Sequence, residues 1–496
     1  MLPVYELSFI VALAHADINR KYGMPTDQKH TRLKLLQTHC PELEISTDKT
    51  VLESHGCDWT RFRTPDAAAV VFPRNTDEVT KLVDVAMEHR IPLVPSGGRT
   101  GLSGGAVAPA GEVVVSFDRM RRIIDFNAVD RTLTVEPGVV TQAIQEYARQ
   151  QNLYYPVSFA SEGSSQIGGN IATNAGGIRV LRYGLTRDQV VGLKVVDGRG
   201  VLIECNSGLV KNASGYDLRH LFIGSEGTLG LIVEATLRLV DPPEPSRVML
   251  LAVSNLEGMM TVFRQFNDAL RLTAFEFLSG AAMSYVRAGH GLPAPMDTDA
   301  SYYALLEFDC ADPGLEDRAL QCFETCLEDG SVVDGVISQS EAQAADLWRY
   351  REGISEAITR YTPYKNDLSV RISKVPDYLH DLDQLARSRY PQFEVLWYGH
   401  FGDGNLHMNI LKPAEMPVDE FERTCAKVNP DVFELTRAHH GSISAEHGIG
   451  LLKQDYLSYT RSEADIERMR GIKAVFDPMN ILNPGKLLGG DISSGI

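Results

Sequence analysis

The sequence predicts an α+β fold built from more than one domain, on three observations. Between residues 67 and 240, short apolar runs alternate with helical and glycine-rich stretches. A proline cluster at 242–245 then interrupts the pattern, because proline continues neither regular element. Beyond it, strand-like runs and amphipathic helices resume, and residues 398–410 carry a hairpin signature that requires antiparallel pairing.

Each element has its own local reason. Residues 7–16 faintly resemble a secretion signal with an Ala-x-Ala ending, but Glu6 precedes the run and no positive leading region is present. They read as a poorly specified extension or short helix. Up to about residue 50 the pattern is polar and helical, as in 31–37. A strand is expected at 68–72, and Thr76 opens a helix with an N-cap signal that runs to about His89. Strands follow at 91–94, 112–116 and 132–135, and Thr141 starts another helix. After the prolines, 248–253 and 302–308 read as strands, and 318–327 and 375–389 as amphipathic helices. The closing segment is a helix followed by a Pro- and Gly-rich tail.

Composition narrows the function classes. Hydrophobic residues make up 44% and charged residues 23%, which excludes bulk disorder and coiled coil. The formal charge of −17 argues against a nucleic-acid partner, which needs a basic surface. It does not exclude small anionic substrates, because a few local cations bind them inside an acidic protein. Seven scattered cysteines with no CxxC pair fit reduced thiols of a cytoplasmic protein, and Cys322 and Cys326 read as small core residues on one helix face. No apolar run reaches the roughly 20 residues of a membrane span, so a soluble or peripheral protein is expected.

Three glycine-rich blocks carry the first chemistry: 95–105 (PSGGRTGLSGG) directly after a strand, 164–177 (SSQIGGNIATNAGG) and 223–230 (IGSEGTLG). Closely spaced glycines let backbone N–H groups converge on anionic oxygens. Neither GxGxxG nor GK[ST] is present, so the Rossmann and P-loop readings lose support. One such block reads as tight turns; three together suggest a long ligand with a pyrophosphate. The blocks resemble the FAD-binding domain of the vanillyl-alcohol oxidase / p-cresol methylhydroxylase flavoproteins. The resemblance implies a two-subdomain FAD-binding domain plus an α+β substrate domain with an antiparallel sheet. It implies FAD contacts from Pro95, Ser96, Gly97, Gly98, Arg99, Thr100, Gly101, Ser103 and Gly104 in the first block. The second block would supply Ser164, Ser165, Ile167, Gly168, Gly169, Asn170, Ala172, Thr173, Asn174, Gly176 and Gly177. Glu226, Gly227 and Gly230 of the third and Asn483 of the tail complete the set. Some members tether flavin through a histidine in or near the first loop; that loop holds none here, so noncovalent FAD is expected.

The second constellation is the hairpin GHFGDGNLH at 399–407. With 402–405 as its loop, His400 pairs with His407 and Phe401 with Leu406, which puts the imidazole-bearing Cβ atoms about 4.5–5.5 Å apart on one face. Asn409, two residues beyond His407, shares that face. The turn SAEHGIG at 444–450 offers Glu446 and His447. Two histidines and a carboxylate with an open position is a catalytic zinc arrangement, though manganese, iron and cobalt accept the same ligands. Both motifs closely resemble the D-2-hydroxyacid dehydrogenase branch of the same flavoproteins, which contains D-lactate, glycolate and D-2-hydroxyglutarate dehydrogenases. The resemblance spans about 50–490. It implies a divalent metal, zinc first, on His400, His407 and Glu446, with His447 as the catalytic base and a substrate contact.

The third constellation is cationic. Arg351 and Ser355 lie four apart on an expected helix 348–357, and Lys365 follows after a turn, a sound carboxylate clamp. The resemblance assigns Arg351, Ser355 and Lys365 to a distal carboxylate and Asn409 to the substrate near its α-carbon. D-2-hydroxyglutarate is therefore the first expectation, and D-lactate, D-malate and glycolate are the alternatives. A zinc hydrolase with vestigial glycine loops is the reading from another class, and a noncatalytic flavin-binding subunit is a third. The expected organisation is an N-terminal helical extension (1–50), an FAD-binding domain (51–241), a substrate and metal domain (242–455) and a tail returning to the FAD domain (456–496). Relatives hand electrons to an electron-transfer flavoprotein, a quinone or a cytochrome, and a homodimer is the default assembly.

Overall fold

The computed structural model describes residues 24–60 and 62–489. The signal-like stretch 7–16 lies outside them. Three sheets organise the chain. The first holds β1 (Glu44–Ser46), β2 (Ala69–Phe72), β3 (Leu93–Ser96) and β4 (Val113–Ser116) in the order β1-β2-β4-β3. β2, β4 and β3 run parallel, and β1 adds antiparallel to the edge. The helix Thr76–His89 makes the crossover from β2 to β3, and the Asn75 side chain caps it by accepting from Glu78 N–H. Its apolar stripe Val79, Leu82, Val83 and Ala86 is fully buried against this sheet.

Two expectations shift here. β1 falls inside the segment expected as a helical extension, so that segment contributes a strand as well as the helix Thr26–His39. The strand expected at 91–94 begins at Leu93 instead. Arg90 takes a left-handed conformation to end the preceding helix, and Ile91 N–H still bonds Ala86 C=O at 2.8 Å, so the chain is turning until residue 92.

The second sheet is antiparallel, with β5 (Ile123–Asn127), β6 (Thr132–Val135), β7 (Val190–Asp197), β8 (Leu202–Ser207) and β9 (Gly230–Arg238) in the order β5-β6-β9-β7-β8. The helices Thr141–Gln150 and Ile167–Thr173 cover one face. The third is also antiparallel: β10 (Ser246–Val253), β11 (Leu272–Ser279), β12 (Tyr302–Asp309), β13 (Val332–Ile337), β14 (Tyr364–Ser369), β15 (Glu394–His400) and β16 (Asn405–Leu411), in the order β13-β10-β12-β11-β15-β16-β14. Helices cover both its faces, so β10 reads as an unbroken apolar run. Met249, Leu251 and Val253 enter one core; Val248, Leu250 and Ala252 enter the other. Cys322 and Cys326 lie in the first of these cores as free thiols.

The tail ties the sheets together. The helix Glu463–Phe476 starts against the third sheet's core at Ile466 and ends with Phe476 in the second sheet's core. Leu482 then pairs with Leu93 beside β3, and Lys473, fully buried, donates to the carbonyls of Thr228 and Leu482 at 2.7 and 3.0 Å. No helix among the described residues is long and apolar enough to cross a membrane.

Candidate active site

β3 delivers the chain into the first glycine block, which meets the second and third across a cleft. Pro95, Gly97, Gly98, Arg99, Thr100, Gly101 and Ser103 line it, with Gly168, Gly169, Asn170, Ala172 and Thr173, then Glu226, Gly227, Gly230 and Asn483. Gly98 sits so close to the second block that a Cβ would lie 2.3 Å from the Ser164 carbonyl oxygen, so only glycine lets the loops touch. Gly169 is the opposite case: a Cβ there would meet no protein atom within 4 Å. It faces the open space of the cleft.

Eight of the expected residues shape the loops instead of lining the cleft. Ser96 Oγ donates to the His55 carbonyl, Gly104 N–H to Asp58, and Ser165 Oγ meets Thr141 Oγ1 at 2.8 Å. Ile167 is in the core, Ser164 is exposed, and Asn174 caps its helix in a left-handed conformation while accepting from Arg187 N–H. Gly176 and Gly177 admit close approach of Leu185 and Ser158. Conversely Ala106, Phe117, Pro137, Gln166, Ser225, Leu231 and Ile232 line the cleft unforeseen. Gln166 and Ser225 stand inside the quoted blocks, so the signal was there; Phe117 and Pro137 come from strand ends without any motif. Gln166 Oε1 and Asn483 Oδ1 are buried acceptors with no protein partner. Open glycine backbone and unpartnered acceptors fit a dinucleotide with hydroxyl and N–H donors.

The second centre lies on the β14–β16 face of the third sheet. The hairpin register corrects the expected one: Tyr398, not His400, pairs with His407, and His400 pairs with Asn405. The turn is 401–404, because Gly404 takes φ +84° and Asn405 is already tied into the sheet through Asp367 and the Leu368 carbonyl. The slip is by two residues, so the face is preserved. His400 and His407 lie diagonally with ring centroids 5.3 Å apart. Lys365 pairs with Asn409 and Asp367 with His407, which puts all four on that face.

Asp367 brings in the remaining residues. One of its oxygens accepts N–H groups from Ala445, Glu446 and His447 at 3.0, 2.9 and 3.1 Å, and the other accepts from Asn405 Nδ2 at 2.7 Å. The 445–447 turn is thereby held over the hairpin. Glu446 Oε1 then lies 4.0 Å from His400 Nε2, 3.8 Å from His407 Nε2 and 3.8 Å from His447 Nε2. Each opposite ring nitrogen faces a buried carboxylate: His400 Nδ1 meets Glu276 at 2.8 Å, and His407 and His447 Nδ1 face Asp367 at 3.5 and 3.7 Å. Ring nitrogens converging at one end and carboxylates orienting them at the other is how proteins present imidazole to a cation. Ligand atoms of His400, His407 and Glu446 all lie within 4.8 Å of one another, so this donor set fits a divalent metal.

The local electrostatics are strong. Burial pushes His400 down, but Glu276 outweighs it and lifts His400 to about 9. Burial lowers His407 to about 4 against the pull of Asp367, and lowers His447 as well. Burial also raises Glu446 to about 7 despite His400. Burial opposes ionisation of Asp367, yet the surrounding His447, His407 and Lys453 hold it well below the usual carboxylate range.

Two of the three residues expected to form the clamp, Arg351 and Ser355, meet at Tyr398. Arg351 lies with Cζ 4.9 Å over the Tyr398 ring, and Ser355 Oγ meets the Tyr398 hydroxyl at 2.8 Å. The helix expected at 348–357 is broken: it ends at Glu352 and restarts at Ile354, with the Gly353 carbonyl taken by His290 at 3.0 Å. Lys365 is exposed at the edge of the group. Asn409 is buried with its amide beside the Tyr398 hydroxyl. Glu276, Asp367 and Tyr398 were missed. Glu276 was detectable as a lone acid in an apolar strand, and Asp367 as the residue two beyond Lys365.

The two centres adjoin. Glu226, which lines the cleft, accepts from Ile449 and Gly450 N–H at 2.8 and 2.7 Å, just past His447.

Residues 67–206 match the family described as FAD binding domain, and 242–487 the FAD linked oxidases, C-terminal domain. Among solved structures, p-cresol methylhydroxylase with bound substrate shares the fold at TM-score 0.73 and 13% identity, covering 94% of this chain and 98% of that one. A 4-ethylphenol oxidase from Gulosibacter chungangensis gives TM-score 0.72 at 15% identity with the same coverage. The chain belongs to the FAD-dependent D-2-hydroxyacid dehydrogenases. It is 54% identical to a D-2-hydroxyglutarate dehydrogenase of Stutzerimonas stutzeri (strain A1501) over 90% of this chain and 96% of the relative. The mitochondrial D-2-hydroxyglutarate dehydrogenase of Bos taurus is 37% identical over 90% of this chain and 81% of its own length. The flavin-free hydrolase reading is set aside by these matches.

Proposed function

We propose that the protein oxidises D-2-hydroxyglutarate to 2-oxoglutarate, with noncovalent FAD in the glycine-lined cleft and a divalent metal, zinc first, on His400, His407 and Glu446. The observation that carries this reading is the juxtaposition of a histidine–carboxylate cluster with an FAD cleft through the 446–450 turn, and the names of the relatives at 54% and 37% identity support the substrate.

FAD, when bound, accepts the hydride from the substrate α-carbon. The metal would polarise the substrate's α-oxygens and acidify its hydroxyl. The chain's own groups do the rest. Arg351, Ser355 and Lys365 receive the distal carboxylate, the arginine by its planar fork and Lys365 as a point charge. Asn409 offers a donor and an acceptor near the α-carbon. His447 Nε2 takes the hydroxyl proton, and the Asp367 carboxylate 3.7 Å from its Nδ1 orients the ring and stabilises the imidazolium. Fixing the substrate at both ends lets only one enantiomer, the D form in this reading, turn its single α-hydrogen toward the flavin. The electron acceptor in this reading is an electron-transfer flavoprotein, quinone or cytochrome, and the enzyme is cytoplasmic or peripheral to a membrane, as a monomer or homodimer.

The test is anaerobic bleaching of the flavin absorbance with D-2-hydroxyglutarate, D-malate, D-lactate and glycolate. Fastest bleaching by D-2-hydroxyglutarate is expected. Preferred bleaching by D-lactate would move the assignment to a monocarboxylate.

A further inference from the structure

Glu276 lies at the middle of β11, a strand buried along its whole length, and is itself 1% exposed. A carboxylate there costs several kcal/mol unless it is fully paired, so its two partners are informative. One oxygen meets His400 Nδ1 at 2.8 Å, and the other meets Arg351 Nε at 2.8 Å. The first contact is an aligned hydrogen bond. The second is an ion pair by distance, in which the N–H is not aimed at the oxygen. Arg351 Nη2 is buried as well and has no protein partner. The guanidinium is therefore anchored by charge through its Nε side and by the Tyr398 ring beneath it, while a terminal nitrogen stays available.

We propose that Glu276 is a positioning residue that couples the two ends of the substrate site, orienting His400 with one oxygen and aiming the Arg351 fork with the other. The inference rests on the clamp and metal assignments above. It adds a specificity determinant that touches neither end of the substrate. The carboxylate is matched to both tasks because it only accepts: it fixes His400 with the proton on Nδ1, leaving Nε2 free for a cation, and it holds a guanidinium that cannot lose its proton. A shift of Arg351 by one side-chain length would be felt only by substrates that carry a second carboxylate.

Glu276→Gln separates the tasks. The amide oxygen can still accept from His400, but the amide NH2 then faces Arg351 Nε, donor against donor. Expected is a fall of about 10- to 100-fold in the kcat/KM preference for D-2-hydroxyglutarate over D-lactate, carried mainly by KM, from misplacement of the fork. Metal content and flavin absorbance should stay near wild type. Glu276→Leu removes both contacts and should in addition weaken metal retention against a chelator by about 10- to 100-fold, a readout independent of turnover. Should Glu276→Gln not bind flavin, Glu276→Asp, which withdraws the charge by one methylene, reads the same preference. Equal losses on both substrates in Glu276→Gln, together with unchanged metal retention in Glu276→Leu, would overturn the proposal. Arg351→Ala is the control: if it too shows no substrate preference change, the clamp reading itself fails and this inference with it, whereas a selective Arg351→Ala beside an unselective Glu276→Gln rejects Glu276 alone.

Discussion

Replacing Asp367 by asparagine should inactivate the enzyme while leaving its flavin in place. The side chain is 1% exposed and accepts three backbone N–H groups from the 445–447 turn plus the Asn405 amide. It also faces Nδ1 of both His407 and His447. Bonds to a charged acceptor are worth about 1.5–3 kcal/mol each. They are not all lost, because the asparagine oxygen can serve one side and the cost of burying a charge disappears. The NH2 group must then confront either the three N–H donors or the Asn405 amide, so a net loss of about 3–5 kcal/mol is expected, typical of breaking a buried charged pair. The loss falls on the turn that places Glu446 and His447. If about 3 kcal/mol of it appears as lost transition-state positioning, kcat falls roughly 100-fold. Turnover of D-2-hydroxyglutarate with a dye acceptor, elemental analysis for metal and the flavin spectrum measure the three consequences: low kcat, reduced metal and normal FAD. A kcat within about threefold of wild type (under 1 kcal/mol), in a variant that keeps its metal, would refute the assignment of the carboxylate as the organiser of the turn.

Further outcomes follow from the same geometry. His447→Ala should keep FAD but slow flavin reduction by substrate by about 10²- to 10⁴-fold, the range for loss of a general base; near-normal bleaching in stopped flow would reject the base assignment. Chelator dialysis should abolish activity without loss of flavin absorbance, and added zinc(II) should restore it; full turnover in a sample verified as metal-free would sink the metal reading. Gly169→Leu should abolish FAD retention and leave the fold intact, because a side chain there enters only the cleft. Retained FAD after gel filtration would show that the cofactor does not occupy that space.

How much of this could be read in the sequence depended on whether the signal was periodic. The helices Thr76–His89 and Val375–Arg389 have the expected bounds, because an amphipathic stripe with end signals marks both. β1 was illegible: it is three residues long and half polar, and only its partner β2 makes it a strand. The histidine hairpin was legible as a motif but not in register, since either of two loops differing by two residues keeps the same face inward. The organising carboxylates were hardest. Asp367 binds backbone N–H groups 78 to 80 residues away, and a backbone donor leaves no mark in residue type. Eight residues of the glycine blocks lie off the cleft lining and pack loop on loop, because close loop packing and ligand cradling call for similar residues. Only the location of the neighbouring atoms, Ser164 against Gly98 and nothing against Gly169, distinguishes the two uses.

Hydride transfer demands that reacting atoms from two separately built sites come within about 3–3.5 Å, and here the contact between them joins residues 223 and 224 positions apart. Glu226 links them. It lines the cleft and holds a left-handed φ of +53°, which turns its side chain toward the substrate domain. Both of its carboxylate oxygens are spent on Ile449 and Gly450 N–H. Its carbonyl accepts from Asn483 Nδ2 at 2.7 Å, and the same nitrogen reaches the Gly105 carbonyl at 2.9 Å. The third glycine block, the first block, the tail and the 446–450 turn therefore meet at one buried residue. His447 is two residues from Ile449, so the proposed base is referenced to the cleft over a few bonds, whereas Arg351 of the proposed clamp is referenced to His400 through the sheet and Glu276. The two linking residues are themselves acids, but both are buried and act at contact distance on their own partners, not through the −17 net charge of the chain. In the proposed reading, recognition of a dianion and of a dinucleotide rests on such local groups, so an acidic net charge does not oppose it.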